Sequence, residues 1–257
     1  MLIDTHAHVN FKDFKNDANE VIQRSLDNNV WMINVGSQYA TSKRAVEMAE
    51  KYPEGVYAAI GLHPIHSGEE FSYEKYKDLA KSKKVVAIGE IGLDYKSEYV
   101  SFKERQKEVL IKQLDLAKEL NLPVILHCRM AHDDLLEIIS NFQFPISKPG
   151  VIHCFTGSWV EAEKYLKMGF YLGFNGIIFK LNLDEVIEKT SLDRILIETD
   201  CPYLTPLPAV ASAKAGPLRN EPLYVKYIAE KIAKLKNITL EEVAEATTKN
   251  AKKIFDI

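Results

Sequence analysis

The chain is poor in cysteine, with three among 257 residues, far apart and odd in number. That excludes a disulfide framework and points to a reducing compartment. An excess of charge of one sign is also missing. The formal net charge is -3, with no basic arm, so the chain lacks the broad electrostatic footprint of a nucleic-acid binder. A polyanion would have to be held locally, by metal ions and a few basic side chains. No apolar run approaches the roughly 18 residues of a membrane span. The first residues enter a polar motif at once, without the pattern of a signal peptide. A cytoplasmic protein with no membrane contact is expected. Neither a GxGxxG nor a Walker loop follows any apolar run, and internal repeats, low-complexity tracts and linkers are absent. No heptads or apolar surface stripe stand out, which leaves a monomer as the expected state.

What is present is a chain 46% hydrophobic and 27% charged, long enough to bury about three quarters of its unfolded surface. Short runs rich in Val, Ile and Leu alternate with helical patterns throughout. The strand-like runs begin at the N-terminus and recur at 30–36, 56–62, 85–90, 124–127, 151–153, 170–173 and 195–198. Helices are expected at 17–29, 41–51, 73–82, 101–120, near His132, from Ser158, near Leu183, and at 222–235 and 239–255. Ser101 with Glu104 and Ser158 with Glu161 read as capping boxes. Consecutive apolar residues mean strands buried on both faces, as in parallel sheets. The expected fold is α/β: a single (β/α)8 TIM-type barrel over residues 1–257, with parallel strands and an extra C-terminal helix. An open doubly wound sheet is the alternative. The segment 202–222 carries five of the ten prolines and reads as a stiff loop over the barrel mouth.

The chemistry-bearing residues fall in one place on that map. In Asp4-Thr5-His6-Ala7-His8, strand alternation sets Asp4, His6 and His8 on one face. His6 and His8 end the first strand, His63 the third, Glu90 the fourth, His127 the fifth, His153 the sixth and Asp200 the eighth. In a parallel barrel all these ends meet at the C-terminal face, where active sites lie. The set has the composition of a site for two divalent ions, with zinc, manganese, magnesium or nickel as candidates. His6, His8 and Asp200 are assigned to one ion, and His127 and His153 to the other. Glu90 is shared between them. A metal-bound water would be oriented by Asp200, which can also accept its proton.

Each cysteine directly follows a proposed ligand: Cys128, Cys154 and Cys201. Alternation turns the first two toward the helix layer, so all three read as small buried residues. Arg129 shares a face with His127 and can bind a phosphate, or else pair with Asp134. Asp94 can hold a ligand histidine. Asn175, Lys180, Arg219 and Asn220 are rim candidates, and Tyr203 or Phe155 can stack a base.

These motifs resemble the TatD family of metal-dependent deoxyribonucleases, among the amidohydrolase-like barrels. The matching stretches are Asp4-Thr5-His6-Ala7-His8, Gly61-Leu62-His63-Pro64, Gly89 to Tyr95, and His127-Cys128-Arg129-Met130-Ala131. They continue with His153 to Ser158, Glu198 to Leu204, Arg219-Asn220-Glu221-Pro222 and Thr247 to Phe255. The resemblance implies metal-dependent phosphodiester hydrolysis of DNA, exonuclease-like in the 3'-5' direction, and a recessed barrel mouth favours single-stranded ends as the substrate. It implies the same six ligands, with His63 touching the substrate phosphate. One departure stands out: the stretch 207–218 is Ala-rich, with only Lys214 before Arg219, where relatives carry a short basic segment. The alternative activity is metal-dependent hydrolysis of an ester or acyl bond, such as that of aminoacyl-tRNA, by the same ion pair.

Overall fold

Runs such as Val30-Trp31-Met32-Ile33-Asn34-Val35 have almost no solvent-facing position, and such strands are stable only where both faces are covered. The computed structural model, which describes residues 1–142, 149–206 and 219–257, covers them both. Its eight strands are β1 Leu2–Ala7, β2 Val30–Val35, β3 Val56–Ile60, β4 Val85–Asp94, β5 Val124–Arg129, β6 Gly150–Ile152, β7 Tyr171–Phe174 and β8 Ile195–Ile197. They pair in parallel and in sequential order. The ring closes beyond β8. Ala7 bridges Cys201, the Asp200 N–H donates to the His6 carbonyl at 2.8 Å, and the His8 N–H donates to the Cys201 carbonyl at 2.9 Å. This is the expected barrel.

The helices are α1 Ala18–Asp27, α2 Tyr39–Ala49, α3 Tyr73–Leu79, α4 Lys103–Leu120, α5 His132–Asn141, α6 Trp159–Lys167, α7 Asp184–Lys189, α8 Val225–Lys236 and α9 Leu240–Phe255. Two apolar layers result. The larger lies between sheet and helices and includes Met32, Ile60, Leu114, Leu126 and Ile228. The smaller takes residues from every strand, among them Ile3, Ile33, Ala59, Ala87, Ile125, Val151, Tyr171 and Leu196. Residues from all eight strands can touch one another only inside the barrel. Ala251, Ile254 and Phe255 of α9 join that cluster, so the extra helix stoppers one end and leaves the other open.

The local signals were mostly sound. The Ser158–Glu161 capping box forms at α6, and Asn121 ends α4 in the left-handed region at φ 53°. The Ser101–Glu104 box does not form. Residues Val100–Phe102 make a 3-10 turn and Phe102 occupies the cap position, which moves Ser101 off the helix end. β4 also runs on past Glu90 to Asp94. Most of the expected loop over the mouth, residues 207–218 with Lys214, lies outside the described residues.

Candidate metal centre

β1 delivers its histidines through an irregularity. Its pairing with β2 shifts between Asp4 and Ala7. Ile3 packs in the barrel interior, whereas Ala7 and Val9 pack with the helix layer, so His6 and His8 reach the open mouth. Asp4, expected beside them, takes a different part. It is fully buried and accepts from the Thr199 N–H at 2.8 Å and the Thr199 hydroxyl at 2.5 Å. Burial pushes its carboxyl up to about 8, against the pull of Thr199.

At the open end the expected residues converge. His6 Nε2 lies 3.1 Å from His8 Nε2 and 3.4 Å from Glu90 Oε2. His8 Nε2 is 3.3 Å from Asp200 Oδ1, and His153 Nε2 is 3.8 Å from both Asp200 Oδ1 and Glu90 Oε1. His6 and His153 stack with ring centroids 3.4 Å apart. Burial opposes charge on Glu90 and Asp200, but the histidines around them outweigh it. His63 and His6 hold Glu90 well below the usual carboxylate range, and His8 and His153 lower Asp200. His6 goes the other way, since burial and His153 push it down to about 4.

For His8 and His153 the group beside Nδ1 decides which atom faces the mouth, whereas His6 Nδ1 is buried with no hydrogen-bond partner among the described residues. His8 Nδ1 is 2.8 Å from the Val35 carbonyl. A carbonyl only accepts, so that nitrogen carries the proton and Nε2 presents a lone pair. His153 Nδ1 is 2.8 Å from Glu198 Oε1, which leaves Nε2 turned toward the mouth. Burial disfavours charge on His153, yet Glu198, Asp200 and Glu90 push it up to about 10. His127 lies between carboxylates, Nδ1 2.8 Å from Glu90 Oε1 and Nε2 3.2 Å from Asp94 Oδ2. Against its burial, Asp94 and Glu90 push it up to about 9. Asp94 is thus placed to orient His127.

His63 is different. Its Nδ1 accepts from the Ile65 N–H at 3.2 Å, so in the neutral ring Nε2 bears the proton, 3.3 Å from Glu90 Oε1. That makes His63 a donor toward the cavity.

The donor set fits divalent ions. Ligands about 2.0–2.2 Å from one ion stand roughly 3–3.5 Å apart, close to the spacings among His6, His8, Glu90 and Asp200. Lone-pair nitrogens facing one another repel unless a cation lies between them. Three groups have the right proximity: His6, His8 and Asp200; His6, Glu90 and His153; and His63, Glu90 and His127. Glu90 is common to two of them. His153 therefore groups with His6, and the neighbour of His127 is His63, rather than the expected pairing of His127 with His153.

The surrounding cavity has a volume of about 860 Å³. Arg129 and Tyr203 line it, with Lys96, Phe11, Ile177 and Leu181. Asp134, the alternative partner of Arg129, is taken by Lys103, Lys107 and Tyr95. Met130, Cys154, Asp200 and Leu204, all beside the cavity, have left-handed backbones with φ of 46–57°. Non-glycine residues there cost free energy that functional sites commonly carry.

Several rim expectations are corrected. Arg219 is a scaffold residue. It donates to both carboxylate oxygens of Asp17, at 2.9 and 2.5 Å, and stacks over Phe14. Asn220 is fully buried and donates to the Thr199 and Tyr203 carbonyls. Phe155 is buried against Tyr165 and His132, so it offers no stacking face, and Lys180 does not line the cavity. Cys128 turns toward the helix layer as expected, its sulfur 3.3 Å from His132 Nδ1. Cys154 does not, because its left-handed φ of 46° breaks the strand alternation and brings it to the cavity wall. Burial, with Asp200 and Glu198 nearby, keeps its thiol well above the usual range. Glu198 had no assigned part. Fully buried, it accepts from the Cys154 N–H at 2.7 Å and Asn175 Nδ2 at 3.1 Å besides facing His153. Its signal was an ionisable residue ending an apolar strand.

Residues 3–256 match the family described as TatD related DNase. A Bacillus subtilis protein named "Uncharacterized metal-dependent hydrolase YabD" is 46% identical, with all of both chains covered. The "3'-5' ssDNA/RNA exonuclease TatD" of Erwinia tasmaniensis is 34% identical, again over the whole of both. The crystal structure of YJJV, a TatD homolog from Escherichia coli K12, superposes with a TM-score of 0.89 at 32% identity, covering 100% of this chain and 98% of that one. An organophosphorus hydrolase from Deinococcus radiodurans, at TM-score 0.66 and 13% identity, shares the fold. The chain belongs to the TatD-related DNase family and is a metal-dependent hydrolase of ester bonds.

Proposed function

We propose that the chain is a phosphodiesterase that uses two divalent ions to remove nucleotides from single-stranded DNA ends. The observation that carries the reading is the convergence of His6, His8 and His153 nitrogens on Asp200 and Glu90 at the floor of one cavity. The substrate class is supported by the relative named a 3'-5' ssDNA/RNA exonuclease, which matches along its whole length.

In this reading His6, His8, His153 and Asp200 would hold one divalent ion and His127 the other, with Glu90 available to both. When bound, such ions polarise a phosphoryl oxygen and make water more acidic. The chain's own groups do the rest. Asp200 orients the attacking water and takes its proton at the carboxylate. One P–O bond breaks as the water oxygen joins phosphorus, and the departing oxygen leaves as an alcohol after gaining a proton. His63 donates from Nε2 to a phosphate oxygen. Arg129 offers its guanidinium to the phosphate backbone, and Tyr203, 52% exposed, offers a ring to a base.

The test is degradation of end-labelled single-stranded DNA and RNA by metal-stripped protein, with Mg²⁺, Mn²⁺, Zn²⁺ or Ni²⁺ restored one at a time. Metal-restored shortening from one end, lost in Asp200→Ala, is the expected result. No cleavage by protein shown to bind the metals would overturn the reading, and aryl-ester turnover in the same samples would then identify an acyl hydrolase.

A further inference from the structure

The cavity mouth is two-sided. In a ring of eight strands, the ends of β4 and β5 stand opposite those of β8 and β1. The β4–β5 side carries Lys96 and Arg129, with Tyr99 and Met130 beside them. Among the described residues these are the only lysine and arginine in the lining, and the Arg129 side chain has no hydrogen bond or ion pair there. Lys96 pairs with Glu98. Among the described residues the opposite side is lined by Phe11 after β1, Ile177 and Leu181 after β7, and Tyr203 and Leu204 after β8. Tyr203 and Leu181 are 52% and 45% exposed. Phe11 stacks on His8 with centroids 4.2 Å apart, so this apolar side begins at the ligands themselves.

A strand end has the same asymmetry. With the scissile phosphate at the floor, the terminal nucleotide on one side is a sugar and a base with no further phosphate. The chain on the other side brings another phosphate at every nucleotide. We propose, on the nuclease reading above, that the site fixes the direction in which a strand lies: the terminal base rests on the β7–β8–β1 side against Tyr203 and Leu181, and the continuing backbone leaves across Arg129. The released nucleotide thus departs from the apolar side. Arg129 recognises the chain rather than the reacting group, and Tyr203 recognises the last base.

Three single-stranded substrates test this, with wild type, Tyr203→Ala, Arg129→Ala and Arg129→Lys: a 12-mer, the same 12-mer with an abasic residue at the degraded end, and a dinucleotide with one phosphate. Loss of a base–aromatic contact is expected to raise KM about tenfold for Tyr203→Ala on the ordinary 12-mer, and less than about threefold on the abasic-ended one. Arg129→Ala is expected to raise KM about tenfold on the 12-mer, to lower the salt dependence of binding by about one phosphate contact, and to matter less than about threefold on the dinucleotide. Arg129→Lys should recover part of that loss. A Tyr203→Ala effect that persists without the terminal base, or an Arg129→Ala effect equal on dinucleotide and 12-mer, overturns the assignment. Wild-type protein that degrades the strands without these couplings overturns the direction alone, whereas protein that binds metal and degrades none of them overturns the nuclease reading beneath it.

Discussion

The floor of the cavity and its rim are built differently. On the floor, His8 is aimed by the Val35 carbonyl, His153 by Glu198, and His127 by Asp94, and most of these groups are buried. At the rim, Tyr203 and Met130 are 52% and 75% exposed. The floor is fixed before anything arrives, which is what charge stabilisation in a transition state requires. The rim keeps rotamer freedom, which suits a substrate whose sequence varies. Damage to the floor should therefore abolish chemistry, and damage to the rim should change which molecules are accepted.

The sharpest way to break this contrast is Glu90→Ala. Loss of the carboxylate common to two ligand groups should cost about 10³-fold or more in metal-restored cleavage, with the circular-dichroism melt still cooperative. Near-normal cleavage would rule out a shared role. Next is Glu198→Gln, which keeps shape but removes the charge facing His153 Nδ1. Such supporting carboxylates are worth about 10–100-fold in metal affinity, readable by titrating the stripped protein with Zn²⁺. Unaltered affinity would mean that Glu198 only fills space.

Arg219→Ala sharpens the comparison from outside the cavity. Breaking the fork to Asp17 and the stack on Phe14 should lower stability by about 1 kcal/mol and the melting temperature by about 2–4 °C. KM for DNA should move little, whereas a large rise would return Arg219 to the rim. The smallest effect concerns acid. Lys103, Lys107 and Tyr95 hold the Asp134 carboxyl below its ordinary 3.8. A carboxyl lowered on folding stabilises the protein above its unfolded pKa and loses that contribution as pH falls through the folded one. Asp134→Asn should therefore lower the melting temperature at pH 7, and that difference should begin to shrink only below pH 3.8 and fade as pH falls well beneath it. The shift should stay below about 1 kcal/mol, since the lysines are partly exposed.

The barrel was legible because its strands are buried on both faces, so each appears as an unbroken apolar run. The floor was legible for a related reason, since polar residues ending such runs can only meet at one end of the ring. What escaped depended on contacts distant in the chain or on a departure from regular backbone. Arg219 reads as a free cation until the fold brings Asp17 to it. Cys154 reads as turned away until its φ of 46° is known. Ser101 reads as a cap, and the 3-10 turn at Val100–Phe102 displaces it. Glu198 could be seen as ionisable, but its engagement with His153, Cys154 and Asn175 could not.

The seam that closes the ring has a consequence for biosynthesis. His6 and His8 leave the ribosome ahead of Asp200, whose backbone bonds to His6 and whose side chain faces His8, and which comes almost two hundred residues later. A nascent chain stalled before β8 holds two histidines without their carboxylate partner or the neighbouring strand that positions them. Hydrolytic competence is in effect withheld from unfinished chains and arrives only with the completed barrel.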